Sequence, residues 1–339
     1  MECISLFSGA GGLDVGAEKA GARVILCVEN DHDAAETLRL NFARGDVEVA
    51  EESIVNIDFK RFLGGKDRIL IGGPPCQPFS KNGYWVKNEN RLIERDPRNM
   101  LSEFLRAVSE AQPAGFLFEN VESLLHPTNK AAVTGFLGMA EAIGYRCTLF
   151  RANAADFGVP QKRKRVFIFG LRTTGAAIPS PKPTHSARPQ DDGLLPHEGV
   201  GRFIAGFDHS RYFEPSEIAN EGTYFKELTH VPPGHNYIAL SKLRGYDGRT
   251  FRAGGRFWNF LHKLHPDLPS ITIAAQPGPW VGPFHWNNRR LRVPEIAAIQ
   301  TFPHDYKFHG NRRSVQKQIG NAVPSMLGEA MVKHLLEHI

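Results

Sequence analysis

Three side chains spread along this chain have the chemistry to act together on an aromatic ring: Cys76, Glu119 and an arginine of the run Gln161-Lys162-Arg163-Lys164-Arg165. A thiolate is a strong nucleophile, but a free thiol, with a pKa near ~8.5, needs help from its surroundings to ionise. A carboxylic acid that protonates or hydrogen-bonds a ring nitrogen withdraws electrons and leaves a conjugated carbon open to attack. An arginine can hold an exocyclic oxygen or a phosphate. The set suits addition to a pyrimidine ring. Cys76 has a plainer alternative, since a free cysteine is usually a small buried apolar residue in a tight loop.

Strand ends must position these residues. The apolar run Arg68-Ile69-Leu70-Ile71 stops abruptly at Gly72-Gly73-Pro74-Pro75, which puts Cys76 just past the C-terminal edge of a sheet. Open α/β proteins place their ligands at that edge. Upstream, a strand over residues 3–7 runs into Ser8-Gly9-Ala10-Gly11-Gly12 and an amphipathic helix to about Ala20. Glycines there let the backbone approach a ligand and free the helix N-terminal N–H groups to face it. A second strand from Arg23 ends in Glu29-Asn30, where an acidic residue typically binds ribose hydroxyls. The glycines do not follow the G-x-G-x-x-G dinucleotide pattern. With Glu29 they indicate a cofactor that carries a nucleoside.

The strand–helix alternation continues. It predicts a helix from Asp31 to about Phe42, a strand near Val47–Val49, and the strand before Cys76. A helix follows from about Arg98 to Ala111, then a strand ending in Glu119-Asn120-Val121, a helix over 129–143, and strands near Tyr145–Ala152 and Arg165–Leu171. The segment from Gln77 to Arg98 is long for a structureless connection, and such segments are usually functional lids or disordered. From about residue 172 the rhythm is lost. Pro179-Ser180-Pro181-Lys182-Pro183 resembles a linker, and eight of the 14 histidines fall between there and Arg290. Arg244, Arg249, Arg252 and Arg256 alternate with glycines and aromatics, which suits either contacts to nucleic acid or a loop-rich domain with solvated arginines. Gln318 to Pro324 is expected to open a C-terminal helix reaching His338.

Bulk properties narrow the class. With 339 residues, 41% hydrophobic and 23% charged, the chain has the make-up of an ordinary globular protein of one large or two unequal domains. No apolar run is long enough for a membrane span. The N-terminus lacks the basic flank of a signal peptide. The four cysteines show no paired spacing, which argues against a zinc ribbon or a disulfide scaffold and fits a reducing cytosol. A net charge of +5 permits a polyanionic partner.

Taken in order, these motifs resemble the bacterial DNA (cytosine-5)-methyltransferases almost from end to end. Phe7-Ser8-Gly9-Ala10-Gly11-Gly12 is similar to that family's S-adenosylmethionine loop, Pro75-Cys76-Gln77 to its catalytic Pro-Cys-Gln, Glu119-Asn120-Val121 to Glu-Asn-Val, and Gln161-x-Arg163-x-Arg165 to Gln-x-Arg-x-Arg. Arg289 to Pro303, with Glu295, Gln300 and Phe302, resembles the motif that closes the recognition region. Gly320-Asn321-Ala322-Val323-Pro324 resembles the last motif. Ser53-Ile54 departs from the usual Asp-Ile.

The resemblance implies a Rossmann-like α/β methyltransferase sheet with a smaller, loop-rich target-recognition domain. The catalytic and cofactor part would be 1–172 plus 318–339, and the recognition part 173–317, with a core of about 173–288. It implies Cys76, Glu119, Arg163 and Arg165 as catalytic residues. The cofactor residues would be Phe7, Ser8, Gly9, Ala10, Gly11, Gly12, Leu13, Glu29, Asn30, Ser53, Ile54, Gly73, Pro75, Leu101, Asn321, Ala322 and Val323. Gln77, Ser80, Arg98, Arg244, Arg249, Arg252, Arg256, His285 and Trp286 are candidates for DNA contact. Cys76 would add to cytosine carbon 6 and a methyl group would pass from S-adenosylmethionine to carbon 5, leaving S-adenosylhomocysteine. The target base, buried in the duplex stack, would be flipped out. A cytoplasmic bacterial monomer without a metal is expected, either part of a restriction-modification system, whose endonuclease would act on the same site without direct contact, or an orphan methylase.

Two alternatives differ in testable ways. A tRNA cytosine-5 methyltransferase would share the chemistry, but such enzymes carry Cys-Phe-Thr, and no cysteine here is followed by Phe-Thr. A catalytically silent nucleic-acid-binding protein on the same fold would have lost part of the set that is intact here.

Overall fold

The structure, a computed structural model, describes residues 1–42, 46–63, 67–75, 100–220, 222–240 and 257–339. Its centre is a seven-stranded sheet. In chain order the first half runs β1 (Glu2–Leu6), α1 (Gly12–Lys19), β2 (Arg23–Glu29), α2 (His32–Phe42), β3 (Glu48–Glu51), β4 (Arg68–Gly72), α3 (Met100–Ala111), β5 (Gly115–Val121), α4 (Lys130–Ala142), β6 (Tyr145–Asn153) and β7 (Lys164–Arg172). The spatial order is β3-β2-β1-β4-β5-β7-β6. β1 to β5 are parallel, and β7 runs antiparallel between β5 and β6.

Strand sequences explain the layering. Residues of a strand alternate between the two faces of its sheet, so Cys27, Ile69, Ile71 and Leu117 enter one core and Leu26, Leu70, Phe116 and Phe118 the other. The first core is closed by α1 and by the C-terminal helix, the second by α3 and α4. In α3, Leu101, Phe104, Leu105 and Val108 recur at helical spacing and are buried. Phe104 meets Phe116 and Phe118 edge-on, at 5.7 and 5.2 Å between ring centroids.

The register aligns the strand ends. Leu6 stands opposite Val28 and Gly72, and Gly72 opposite Phe118. The next residues, Phe7, Glu29, Gly73 and Glu119, therefore emerge side by side at one edge. The strand order reverses there, between β1 and β4, which is the binding crevice of open α/β sheets.

The second half is built of short pieces: β8 (His185–Ser186), α5 (Pro189–Asp192), β9 (Leu195–Pro196), α6 (Gly201–Ile204), α7 (Phe225–His230) and α8 (Val293–Ile299). Its cores gather Val200, Ile204, Leu264, Ile273 and Ile296 in one cluster and Leu228, Tyr237, Leu261 and Phe284 in another. α8 starts with a proline in its first turn, and the Arg292 N–H donates to the Glu295 carboxylate at 2.8 Å.

The C-terminal region differs from the single helix that its sequence suggests. Gln318 to Asn321 form the last turn of α9 (Arg312–Asn321), the chain breaks at Ala322, and α10 (Ser325–Leu336) follows. Pro324 is the cause: it holds the preceding residue in extended backbone and stops α9 from continuing. Ahead of this break the chain already leans on the glycine loop, on α2 and on the residue before it. The Tyr306 hydroxyl donates to the Ala10 carbonyl, the His309 N–H to Thr37 Oγ1, and Lys317 pairs with Asp31 at 2.7 Å.

Candidate active site

At the aligned strand ends lies a cavity of about 530 Å³. Phe7, Ser8, Gly9, Gly12, Leu13, Glu29 and Asn30 form one side. Gly73, Pro74, Pro75, Glu119, Asn120, Val121 and Arg165 form the second, and Asn321, Ala322 and Val323 the third. Most of the residues expected to surround a cofactor are thus brought together.

The glycine loop owes its shape to left-handed backbone. Gly9 and Gly11 have φ of 55° and 79°, and Phe7, which has a side chain, has φ of 55°. Such a conformation is unfavourable for Phe and survives only where the surroundings impose it. The Ser8 N–H donates to the Val28 carbonyl at 3.1 Å, and the Gly9 N–H to Glu29 Oε2 at 2.8 Å. Glu29 Oε1 accepts from the Asp31 N–H at 2.8 Å. Burial raises the pKa of this carboxyl, while those two backbone donors favour its charged form. A side chain at Gly12 has no room: a Cβ would lie 2.3 Å from the Val323 carbonyl oxygen, so only glycine lets the loop meet the turn after α9.

Glu119 and Arg165 face each other across β5 and β7. Arg165 is registered opposite Val121, which makes it the diagonal neighbour of Glu119 on the same face. Arg165 Nε lies 2.8 Å from Glu119 Oε1, with both side chains almost wholly buried. Burial raises the Glu119 pKa, and the positive charges of Arg165 and Arg163 oppose that rise. The carboxyl is thereby suited to share a proton with a ring nitrogen. Gly73 is packed against it, since a Cβ there would sit 2.6 Å from Glu119 Oε2. Asn120 donates to the Pro74 carbonyl at 3.2 Å, fixing the chain just where it leads into Cys76.

Arg163 is placed differently from Arg165. It is 1% exposed, and its guanidinium donates to the carbonyls of Ile273 at 3.2 Å and Gly320 at 2.7 Å. Burial lowers its pKa well below the usual arginine range. Gln161 stands beside it, accepting from the Ile273 N–H at 3.0 Å and donating to Gln300 Oε1 at 2.7 Å. Gln300 in turn donates to the carbonyls of Ile319 and Ala322. These side chains fasten the segment around Ile273 and the turn after α9 to the sheet.

Other expected residues fall elsewhere. Ile54 and Leu101 belong to the core under the sheet. They and Ser53 are not part of the cavity wall, and the Ile54 carbonyl is taken by Arg106. Ala10 and Gly11 pack toward Tyr306 and α2. His285, 1% exposed, lies against Trp286, with ring centroids 4.0 Å apart, and burial drops its pKa to about 4. Its position is interior, beside the Arg289–Glu295 pair. Cys76, Gln77, Ser80, Arg98, Arg244, Arg249, Arg252 and Arg256 lie outside the described residues.

Several wall residues carry no sequence signal that would single them out, namely Ser5, Asp14, Asp31, Pro74, Lys317 and Gln318. The alternation of β1 places Ser5 within reach of the site, but nothing in its type marks it. No helix among the described residues is long and apolar enough to cross a membrane.

Comparison with known proteins agrees with this architecture. The family model for C-5 cytosine-specific DNA methylases matches residues 1–337. The type II methyltransferase M.SacI of Streptomyces achromogenes is 38% identical over an alignment that covers 100% of this chain and 93% of that protein. M1.HphI of Haemophilus parahaemolyticus is 33% identical, covering 98% and 86%. In fold, the chain resembles the Entamoeba histolytica methyltransferase EhMeth, with a TM-score of 0.66, 16% identity and coverage of 100% and 98%. It also resembles the S. pombe Dnmt2 methyltransferase, with a TM-score of 0.62, 15% identity and the same coverage. The chain belongs to the C-5 cytosine-specific DNA methylase family and is a DNA cytosine methyltransferase.

Proposed function

We propose that the protein methylates carbon 5 of one cytosine within a specific duplex sequence, with S-adenosylmethionine as methyl donor and Cys76 as the nucleophile. The observation that carries this is the buried Glu119–Arg165 pair on the cavity wall, beside Pro74 and Pro75, which precede Cys76 in the sequence. The cavity fits the cofactor chemically. Glu29 points a carboxylate, already oriented by two backbone N–H groups, to where ribose hydroxyls would bind. The N-terminus of α1 and its glycines offer N–H groups to a carboxylate. The volume is ordinary for a site of this ligand's size. When bound, S-adenosylmethionine supplies an electrophilic methyl group.

The buried Glu119–Arg165 pair supports the following division of roles. The Cys76 thiolate forms a bond to cytosine carbon 6. Glu119 gives or shares a proton at ring nitrogen 3, which keeps negative charge from building on the ring. Arg165 holds the exocyclic oxygen and orients Glu119. Carbon 5 becomes nucleophilic and takes the methyl group. Loss of its proton, followed by breakage of the bond to Cys76, restores the aromatic ring. Arg163 acts as a positioning residue rather than on the base.

The base must leave the duplex to reach Cys76. Residues 173–317 form the recognition part and read the major groove, where all four base pairs differ. As the relatives are named type II methyltransferases, the mark would protect the site from a cognate endonuclease, with the protein acting as a monomer.

Cys76→Ser is expected to abolish transfer of labelled methyl groups to duplex DNA while duplex binding persists. Full methylation by that variant would overturn the mechanism. Bisulfite sequencing of DNA from cells that express the wild-type protein would identify the modified cytosine.

A further inference from the structure

Four acidic side chains line the cavity: Asp14, Glu29, Asp31 and Glu119. Three are engaged. Glu29 accepts from two backbone N–H groups, Asp31 pairs with Lys317, and Glu119 pairs with Arg165. Asp14 differs. It is 0% exposed, the Cys27 thiol donates to its Oδ1 at 3.4 Å, the Ser5 hydroxyl hydrogen-bonds the carboxyl, and its Oδ2 has no hydrogen-bond partner among the described residues. A buried carboxylate with an idle oxygen is costly and calls for a compensating charge. It stands in the first turn of α1, behind the glycine loop. Beside it on the cavity wall are the hydroxyls of Ser5, which hydrogen-bonds the carboxyl, and of Ser8, which donates to Ser5 Oγ at 2.9 Å. Both serines line the cavity.

We propose that Asp14 is the buried counter-charge for the ammonium group of S-adenosylmethionine, acting through the hydroxyls of Ser5 and Ser8. This rests on the cavity being the S-adenosylmethionine site. The glycine loop and helix N-terminus would take the carboxylate of the methionine part, and Glu29 the ribose. The ammonium then needs acceptors, and the serine hydroxyls provide them, each turning its own proton toward the interior, where Asp14 receives the accumulated charge. Asp14 is a positioning residue in this arrangement and does not touch the reacting atoms.

The titratable groups around Asp14 make it responsive to pH. Cys3 from β1, Cys27 from β2, Glu18 from α1 itself and Tyr306 from the segment before α9 face it or interact with its charge. α10 meets α1 through backbone near Gly16 and Gly328. None of these brings a positive charge. Burial pushes the Asp14 carboxyl up to about 6. A bound cation favours the ionised form, so affinity for a cationic ligand should rise as pH climbs through that value.

The test measures binding of S-adenosylmethionine, S-adenosylhomocysteine and 5′-methylthioadenosine by calorimetry between about pH 5 and pH 8. The last ligand keeps the adenosine but lacks the ammonium. Asp14→Asn is expected to weaken the first two about tenfold or more and to leave the third within about twofold. It should also remove the difference between the pH profiles of S-adenosylmethionine and 5′-methylthioadenosine. An equal loss for all three ligands, unchanged affinities, or a preserved difference in pH profile would overturn the inference. Ser8→Ala keeps the charge and breaks the hydroxyl link. Should Asp14→Asn not fold, selective weakening of the two ammonium ligands by Ser8→Ala upholds the inference and its absence refutes it. A wild-type protein that binds none of the three would instead overturn the cofactor assignment.

Discussion

Glu119 and Asp14 are both buried carboxyls with raised pKa values, yet their surroundings give them different tasks. Glu119 has Arg165 at 2.8 Å, a partner that holds it in place and tempers its affinity for protons. Asp14 has only neutral neighbours and the acidic Glu18. Its folded-state value of about 6 exceeds the ordinary carboxyl value of 3.8, so the folded protein binds the proton more tightly than the unfolded chain does. The stability this gives is fully present below the unfolded value and is lost as pH rises through the folded one. At neutral pH the ionised carboxylate therefore costs the cofactor-free protein about 1–3 kcal/mol. Asp14→Asn is expected to raise the melting temperature of the cofactor-free enzyme by a few degrees near pH 7.5, with much less effect near pH 4.5. Scanning calorimetry at the two pH values checks this, and a lower melting temperature at both would show that the carboxylate is satisfied after all. Destabilisation confined to a ligand pocket is a common mark of a group kept for binding.

At the scale of elements, the site is a meeting of three pieces that no single strand or helix could bring together. Gln300, at the end of α8, joins them: it receives Gln161 from the sheet side and donates to the carbonyls of Ile319 and Ala322 at the end of α9. Gln300→Leu would leave these buried groups without partners, at a cost of about 1–3 kcal/mol for each that finds no substitute. The expected result is a lower melting temperature and weaker cofactor binding, because Ala322 and Val323 line the cavity. Denaturation and calorimetric binding on the variant would measure both effects, and intact cofactor affinity in a destabilised protein would show that α9 ends correctly without Gln300. The sheet itself was legible in the sequence, since apolar alternation and glycine punctuation mark β1, β2, β4 and β5 within a residue or so. So was the cluster of strand ends, because parallel register leaves little choice once the strands are known. The break between α9 and α10 was not, because the apolar spacing continues across Val323 and the effect of Pro324 depends on where its neighbours are held. Asp14 was equally hidden: an acidic residue in the first turn of a helix ordinarily serves the helix dipole, and only tertiary packing shows that this one is enclosed.

At the scale of the whole molecule, a net charge of +5 says less about DNA than the distribution of its arginines does. Many are committed to the fold. Arg163 is enclosed by carbonyl groups, Arg289 bridges Glu295 and Asp208, Arg292 pairs with Glu217, and Arg312 with Glu214. Removing one member of an enclosed pair, Arg289–Glu295 or Arg292–Glu217, leaves its partner charged and buried, a loss of about 3–5 kcal/mol in stability. Arginines that contact phosphate behave otherwise, because each releases counterions on binding and so contributes to the dependence of affinity on salt. The two classes can be separated by one experiment. Arg289→Ala should lower the melting temperature and leave the slope of log affinity against log salt for duplex DNA unchanged in the protein that remains folded. Arg249→Ala, in the basic and glycine-containing stretch from Arg244 to Arg256, should leave the melting temperature unchanged and reduce that slope by about 0.9 if it meets a phosphate. If it reads a base instead, affinity falls for the cognate site by about 1–3 kcal/mol while random duplex is bound as before. A variant of Arg249 that alters neither quantity would remove it from the DNA interface.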